Sequence, residues 1–174
     1  MDLIVWRHAQ AQVGPPGWQP DDANAARIAQ SERPVLTPAQ DLARRLTPKG
    51  ERQAERMAAW LNQRLPASTR VLVSPAERTR QTAAALGREV QVLQALAPDA
   101  AAEALLKAAR WPRSRDAVLI VGHQPTLGAV VAQLMGVPEA SWSIKKGAVW
   151  WLQGRERDGA MQVTVRGVQN PDLL

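Results

Sequence analysis

The sequence predicts an α/β fold in three layers, with helices on both faces of a mostly parallel sheet. Short aliphatic runs alternate with longer amphipathic segments along most of the chain, and two further apolar runs follow near its end. Strands that alternate with helices form parallel sheets, because each helix returns the chain to the same edge. The length of 174 residues suits one domain, which we expect to span 1–174 with an irregular cap segment at 10–45.

Four aliphatic runs predict the parallel strands. They are LIVW (3–6), RVLVS (70–74), VQVL (90–93) and DAVLIVGH (116–123). Two later runs, GAVWWLQ (147–153) and MQVTVRGV (161–168), predict an antiparallel hairpin around RERDG (155–159). A sheet of six strands, four of them parallel, follows from this pattern.

Capping signals predict the helices between these strands. The segment from Thr47 to Pro66 begins with threonine and proline, which suit the cap and the first turn of a helix. The segment from Ser74 to Gly87 begins with serine as a cap, and a glutamate three residues later completes a capping box. Further helices are predicted over 21–30, 100–111 and 124–136.

Composition excludes several function classes. The chain has no cysteine, which excludes disulfides and thiolate metal sites. Its 22 basic and 16 acidic residues give a net charge of +6, but no dense basic run indicates a nucleic-acid partner, and we interpret most of its arginines as solvated. No membrane span or signal peptide is apparent, so we expect a cytoplasmic protein without a membrane partner. The oligomeric state stays open.

Basic and histidine side chains follow three of the predicted strands. Arg7 and His8 follow the first strand, Arg78 follows the second, and His123 ends the fourth. The chain has only two histidines, and both stand at such positions. The carboxyl ends of parallel strands meet at one edge of a sheet, so these side chains should meet there. Arg78 and His123 also stand at helix N-termini, which favour anions.

These residue types suit a phosphate group. Guanidinium is planar, permanently charged and matched to phosphate oxygens. A neutral imidazole can attack phosphorus, and a second imidazole can donate to its oxygens. Because no carboxylate cluster or metal-ligand spacing accompanies them, we expect no metal and no cofactor, with the arginines supplying the positive charge.

Three motifs resemble those of the histidine phosphatase superfamily, which has the phosphoglycerate mutase-like fold. They are RHA (7–9), SPAERTRQTA (74–83) and GHQPTLG (122–128), in that order. The stretch RRLTPKGERQA (44–54) resembles the short bacterial branch of SixA-type phosphohistidine phosphatases. The resemblance extends from the first strand to the helix near Met135. It implies a phosphatase with four catalytic residues: Arg7, His8, Arg78 and His123.

The resemblance also implies a role for each of these residues. His8 would carry the phosphoryl group as a covalent intermediate, the two arginines would hold its oxygens, and His123 would stabilise the developing charge. Arg44 and Ser74 are further candidates for contact with the substrate.

The acid that protonates the leaving group is the weakest part of the pattern. Mutases and sugar-phosphate phosphatases of this fold carry a glutamate after the third strand, where this chain offers Asp99 and Glu103 instead. An alkoxide needs an acid because it is about as basic as hydroxide, whereas the conjugate acid of imidazole has a pKa of roughly 6.5. The absence of this glutamate favours a phosphohistidine substrate. Asp99 is either the acid or a loop residue.

Three hypotheses therefore stand. The first is a metal-independent phosphatase that acts through a phosphohistidine intermediate on phosphohistidine proteins. The second keeps this chemistry with a small phosphomonoester as substrate. The third is a phosphate-binding or phosphoprotein-binding module without turnover. A mutase is disfavoured because the chain lacks both the glutamate and the insertions that enclose a sugar phosphate.

Overall fold

A computed structural model, which describes residues 1–138 and 142–174, contains one six-stranded mixed sheet. The strands are β1 (Asp2–Arg7), β2 (Arg70–Val73), β3 (Gln91–Val92), β4 (Val118–Gly122), β5 (Val149–Arg157) and β6 (Ala160–Gln169). Their order in the sheet is β3-β2-β4-β1-β5-β6. The first four pair in parallel and the last two pair antiparallel, which confirms the predicted topology.

Helices cover both faces of the sheet. They are α1 (Asp22–Ala29), α2 (Pro38–Leu42), α3 (Pro48–Asn62), α4 (Glu77–Ala84), α5 (Ala102–Ala109) and α6 (Thr126–Met135). Ile4 and Trp6 of β1 pack in one apolar cluster with α3 and α4. Leu3 and Val5 pack in the other with α5 and α6. This alternation follows from the two-residue period of a strand, and it confirms the three layers.

Several element boundaries differ from the prediction. The long helix ends at Asn62 and not at Pro66, and the segment after β2 becomes helical only at Glu77. The predicted serine cap there is wrong: the N-cap position is Ala76, and no side chain caps the helix. The cap segment at 10–45 contains the predicted helix, α1, and also a second short helix, α2, that was not predicted.

Two similar sequence stretches, LTPAQ (36–40) and LTPKG (46–50), have the same local structure. Thr37 and Thr47 each accept a hydrogen bond from the backbone three residues later, and a proline follows in the first turn of the helix. The second copy requires its glycine, since a Cβ on Gly50 would collide with the carbonyl oxygen of Gln10. This close approach holds the start of α3 against the chain that leaves β1.

Within the described parts of the chain, no helix is both long enough and apolar enough to cross a bilayer.

Candidate active site

A cavity of about 370 Å³ opens at the carboxyl ends of β1, β2 and β4. The structure brings together there all four residues predicted to be catalytic: Arg7, His8, Arg78 and His123. Each has no more than 9% of its surface exposed, because strand ends and helix starts enclose them. The outer part of the cavity is lined by Arg33, Asp41, Arg44, Asp99 and Lys146.

His8 is held in one tautomer by the backbone. Its Nδ1 lies 2.7 Å from the carbonyl oxygen of Ala9, which can only accept, so Nδ1 carries the proton. Burial lowers the pKa of His8 well below the usual value for histidine, and the nearby charge of Arg78 lowers it further. The ring is therefore neutral at pH 7, with its lone pair on Nε2, which is the form that can attack phosphorus.

His123 lies beside His8, with 5.4 Å between the ring centroids. Its Nδ1 lies 3.3 Å from a terminal nitrogen of Arg78, and its Nε2 lies 2.7 Å from Oγ of Ser74. Because a guanidinium only donates, Nδ1 accepts and Nε2–H donates to the serine. Burial, followed by the charge of Arg78, lowers the pKa of His123 to about 3.

Ser74, a predicted candidate for substrate contact, lies behind His123. It is fully buried and does not line the cavity, and its hydroxyl is placed to hold the ring of His123. Its position directly after β2 explains this, since the backbone N–H of Ser74 bonds to Val121 of the neighbouring strand, only two residues before His123. The sequence motif identified the residue but not its partner.

The two arginines are anchored by carbonyl groups. Arg7 donates from Nη1 to the carbonyl oxygen of Ile144 at 2.6 Å. Arg78 donates from Nη1 to the carbonyl oxygen of Asp41 at 2.5 Å and from Nη2 to its carboxylate at 2.8 Å. These contacts hold both guanidinium groups at the cavity without neutralising Arg7.

Asp41 is a site residue that the sequence analysis missed. It lies near the end of α2, next to the cavity, and its carboxylate accepts from Arg44 at 2.9 Å as well as from Arg78. Burial alone would raise the pKa of Asp41, but these two cations lower it below its usual value, so the group is ionised at pH 7. The Thr-Pro pair before α2 could have predicted the helix, but no pattern indicated which arginine this carboxylate contacts.

Arg44 and Asp99 both line the cavity, as their predicted roles require. One donor of Arg44 already has a partner within the protein, since its Nε donates to the carbonyl oxygen of Gln12 at 2.8 Å. Asp99 is exposed, with a φ of +66°, in the loop before α5. Glu103 is exposed on α5 and does not line the cavity. Of the two acids, Asp99 alone is placed to reach a bound substrate.

The described residues contain no group of three or more histidine, cysteine, aspartate or glutamate side chains that could bind a metal ion.

The family model of the histidine phosphatase superfamily (branch 1) matches residues 3–100. The chain belongs to this superfamily. The match includes most of β1 together with Arg7, His8 and Arg78, and it ends before His123. An uncharacterised protein of Picosynechococcus is 43% identical over 97 residues, and one of Mycobacterium tuberculosis is 35% identical over 99 residues. The aligned parts cover 52% and 54% of this chain, and 59% and 61% of those curated relatives.

Several solved structures match over almost the whole chain. A SixA-type protein of Agrobacterium tumefaciens has a TM-score of 0.70 at 20% identity, covering 98% of this chain and 97% of that one. The protein histidine phosphatase SixA, solved with tungstate, has a TM-score of 0.66 at 24% identity, with 99% of both chains covered. A phosphoserine phosphatase of Entamoeba histolytica has a TM-score of 0.66 at 13% identity, covering 99% and 98%. The predicted phosphoglycerate mutase-like, SixA-type fold is confirmed.

Proposed function

We propose that this protein is a phosphatase that transfers the phosphoryl group of its substrate first to His8 and then to water. The observation on which the proposal depends is the bond from Nδ1 of His8 to the carbonyl of Ala9, which leaves the Nε2 lone pair at a cavity lined by arginines. A histidine that only bound phosphate would act as a donor and would gain nothing from this tautomer.

The reaction has two displacement steps at phosphorus. In the first, the Nε2 lone pair of His8 forms a bond to phosphorus, while the bond to the leaving group breaks and its electron pair departs with that group. In the second, the oxygen of a water molecule forms a bond to phosphorus and one water proton is released. The N–P bond breaks, its electron pair returns to Nε2 of His8, and inorganic phosphate is set free. Arg7 and Arg78 neutralise the phosphoryl oxygens in both steps, as preorganised donors do.

His123 stabilises the same oxygens, and Ser74 makes this possible. The serine hydroxyl can donate as well as accept, so it supports either tautomer of His123. When a phosphoryl group takes over Arg78, Nδ1 of His123 is free to carry the proton and donate it to an oxygen, while Ser74 donates to Nε2. Ser74 is thus a positioning residue in this mechanism.

The substrate we favour is phosphohistidine in proteins. Imidazole leaves without much help from an acid, and the candidate acid Asp99 lies exposed to solvent at the cavity. The fold neighbour solved with tungstate, a tetrahedral oxyanion like phosphate, is described as a protein histidine phosphatase. A small phosphomonoester is the second candidate, since Asp99 does line the cavity and another fold neighbour is a phosphoserine phosphatase.

The decisive assay measures phosphate release from a phosphohistidine protein and from a panel of sugar phosphates, with EDTA present. We expect turnover without added metal, with rates on phosphohistidine about 10²–10⁴-fold higher, which is the usual value of general acid assistance. Vanadate should inhibit far more strongly than phosphate, because it adopts the five-coordinate geometry of the transition state. Binding without release of phosphate would instead indicate a binding module, and a strict need for Mg²⁺ would contradict the mechanism.

Asp99→Asn separates the two substrates. If Asp99 is the acid, the variant should lose about 10²–10⁴-fold on sugar phosphates and keep its rate on phosphohistidine. If Asp99 is a loop residue, both rates should stay close to those of the unmodified protein. Glu103→Gln is the matched control, since that acid does not line the cavity.

A further inference from the structure

The candidate active site has more positive charge than one phosphoryl group requires. Five cationic side chains line the cavity, namely Arg7, Arg33, Arg44, Arg78 and Lys146. Three carboxylates also line it, but Glu32 pairs at 3.2 Å with Arg27, which does not line the cavity. Asp41, which is shared by Arg44 and Arg78, and Asp99 therefore stand against five cations. Neither Arg33 nor Lys146 forms a salt bridge with a described carboxylate.

Lys146 is fixed next to the reacting groups by its backbone. The N–H of Gly147 donates to the carbonyl oxygens of Arg7 and His8 at 3.2 and 3.1 Å, and the carbonyl of Ile144 holds the guanidinium of Arg7. The loop at 144–147 is therefore built against the end of β1. The position of Lys146 at the cavity follows from this packing and not from a long flexible side chain alone.

Arg33 lies far from Lys146 in the sequence and reaches the cavity from the turn after α1. Its carbonyl oxygen accepts from Nε of Arg27 at 2.8 Å, which ties this turn to the helix. The positive charges around the cavity repel one another. Burial lowers the pKa of Lys146, and the charges of Arg7 and Arg33 lower it further. Like charges held together in this way are stabilised when an anion binds between them.

The cavity is also too large for a phosphoryl group alone. Its volume of about 370 Å³ is within the usual range for pockets that hold whole small ligands, roughly 300–1,000 Å³. Arg7 and Arg78 at its base suffice for the phosphoryl oxygens, so the cations at the rim face the remainder of the substrate.

We infer that Arg33 and Lys146 form a second anion subsite, which selects substrates with another negative group close to the scissile phosphoryl group. The inference rests on the proposed function, since it assigns the phosphoryl group to His8 and the arginines beside it. The second group could be a carboxylate of an acidic residue next to phosphohistidine, or a carboxylate or phosphate of a small molecule. Both sources share the chemistry that the two cations recognise.

Binding of non-hydrolysable phosphonates tests the subsite without turnover. Phosphonoacetate carries a carboxylate where phosphonoacetamide carries a neutral amide. By titration calorimetry at low salt, we expect the protein to bind phosphonoacetate about three- to tenfold more tightly, the range for two exposed charge contacts. The double variant Arg33→Gln/Lys146→Gln should bring this ratio close to one, and added salt should reduce it in the unmodified protein.

The matched control is Arg45→Gln/Lys145→Gln. Both residues are exposed and do not line the cavity, and the variant has the same change in net charge. It should keep the preference for phosphonoacetate. Equal binding of the two phosphonates by the unmodified protein, or an unchanged ratio in the double variant at 33 and 146, would overturn the inference.

Hydrolysis assays identify the source of the second charge. One arm compares phosphohistidine peptides with glutamate or glutamine beside the phosphohistidine, and the other compares carboxyphenyl phosphate with its carboxamide. A preference in either arm that the double variant loses supports the subsite and names the substrate class. If phosphonoacetate binds selectively and nothing is hydrolysed, the proposed activity fails and the subsite stands. If all substrates are hydrolysed without any preference, the activity stands and the subsite fails.

Discussion

The edge of the sheet and the segment that covers it are held in place by different forces. Arg7, His8, Arg78 and His123 stand at the ends of strands or at helix starts, with between 3% and 9% of their surface exposed. The outer segment, residues 10–45, contains α1 and α2, and no residue of α2 is buried. One region is positioned by the apolar core, and the other by polar contacts at the surface.

The polar contacts of the outer segment are few and specific. The side chain of Asn24 exchanges hydrogen bonds with the backbone of Val35 at 2.7 and 3.3 Å, which closes the turn that presents Arg33. Asp41 joins the segment to the inner site through Arg78. The core therefore positions the candidate catalytic residues, and in the function proposed above the outer segment would set the charge of the cavity.

The largest effect should come from the nucleophile. His8→Ala should lower turnover by about a thousandfold or more, which is the range seen when a covalent nucleophile is removed. Thermal unfolding should change little, because His8 lies at the rim of the core. Rapid quench should trap acid-labile, base-stable phosphate on the unmodified protein only. Turnover by the variant at the unmodified rate would rule out the covalent mechanism.

Arg78 should come next. Arg78→Ala should lower kcat/KM by about a hundredfold, since removal of one preorganised donor to a developing anion costs about 10²–10³. Arg80→Ala is the matched control, because Arg80 is an exposed residue on the same helix. It should retain the full rate. Equal losses in the two variants would mean that α4 contributes through its fold and not through this guanidinium.

The buried histidines should make the inner site sensitive to acid. The pKa of His123 is lowered in the folded protein to about 3, while an unfolded histidine titrates at about 6.5. Between these values the unfolded chain binds more protons than the folded protein. The stability contributed by the neutral ring of His123 is therefore complete above about pH 6.5 and is lost as the pH falls toward 3. Asp41, whose pKa is lowered, stays ionised over most of this range.

We expect urea unfolding to show up to about 2 kcal/mol less stability at pH 5 than at pH 7 from His123. The variant His123→Asn should show a smaller difference between the two pH values, whatever its absolute stability. An unchanged difference would show that His123 is not held neutral by the fold.

The smallest effect should come from Asp41, which links the outer segment to Arg78. Asp41→Asn removes a negative charge beside Arg78 but keeps an oxygen that can accept from it. The inhibition constant of inorganic phosphate should therefore fall about three- to tenfold, because repulsion of the anion is relieved near a partly exposed pair. Asp41→Ala also removes the side-chain oxygen that accepts from Arg78, so this variant should not bind phosphate more tightly. Weaker phosphate binding by the Asn variant would show that the charge itself orients Arg78.

The sequence alone determined the parts of this protein that depend on local order along the chain. The alternation of LIVW, RVLVS and DAVLIVGH with amphipathic helices predicted the parallel sheet, because each crossover returns the chain to the same edge. The same rule placed both histidines and two arginines at one edge of the sheet. These features follow from strand polarity and side-chain type, which are properties of sequence position.

Tertiary structure decided which groups touch. Ser74 was predicted from its motif to cap a helix and to contact a substrate, but its hydroxyl lies against His123 on a neighbouring strand end, 49 residues away. No sequence pattern indicated that Asp41 and Arg33 reach the cavity, because their approach depends on how residues 10–45 fold back over the sheet. Such contacts join residues far apart in the chain, and their geometry is set by the packing of the elements between them.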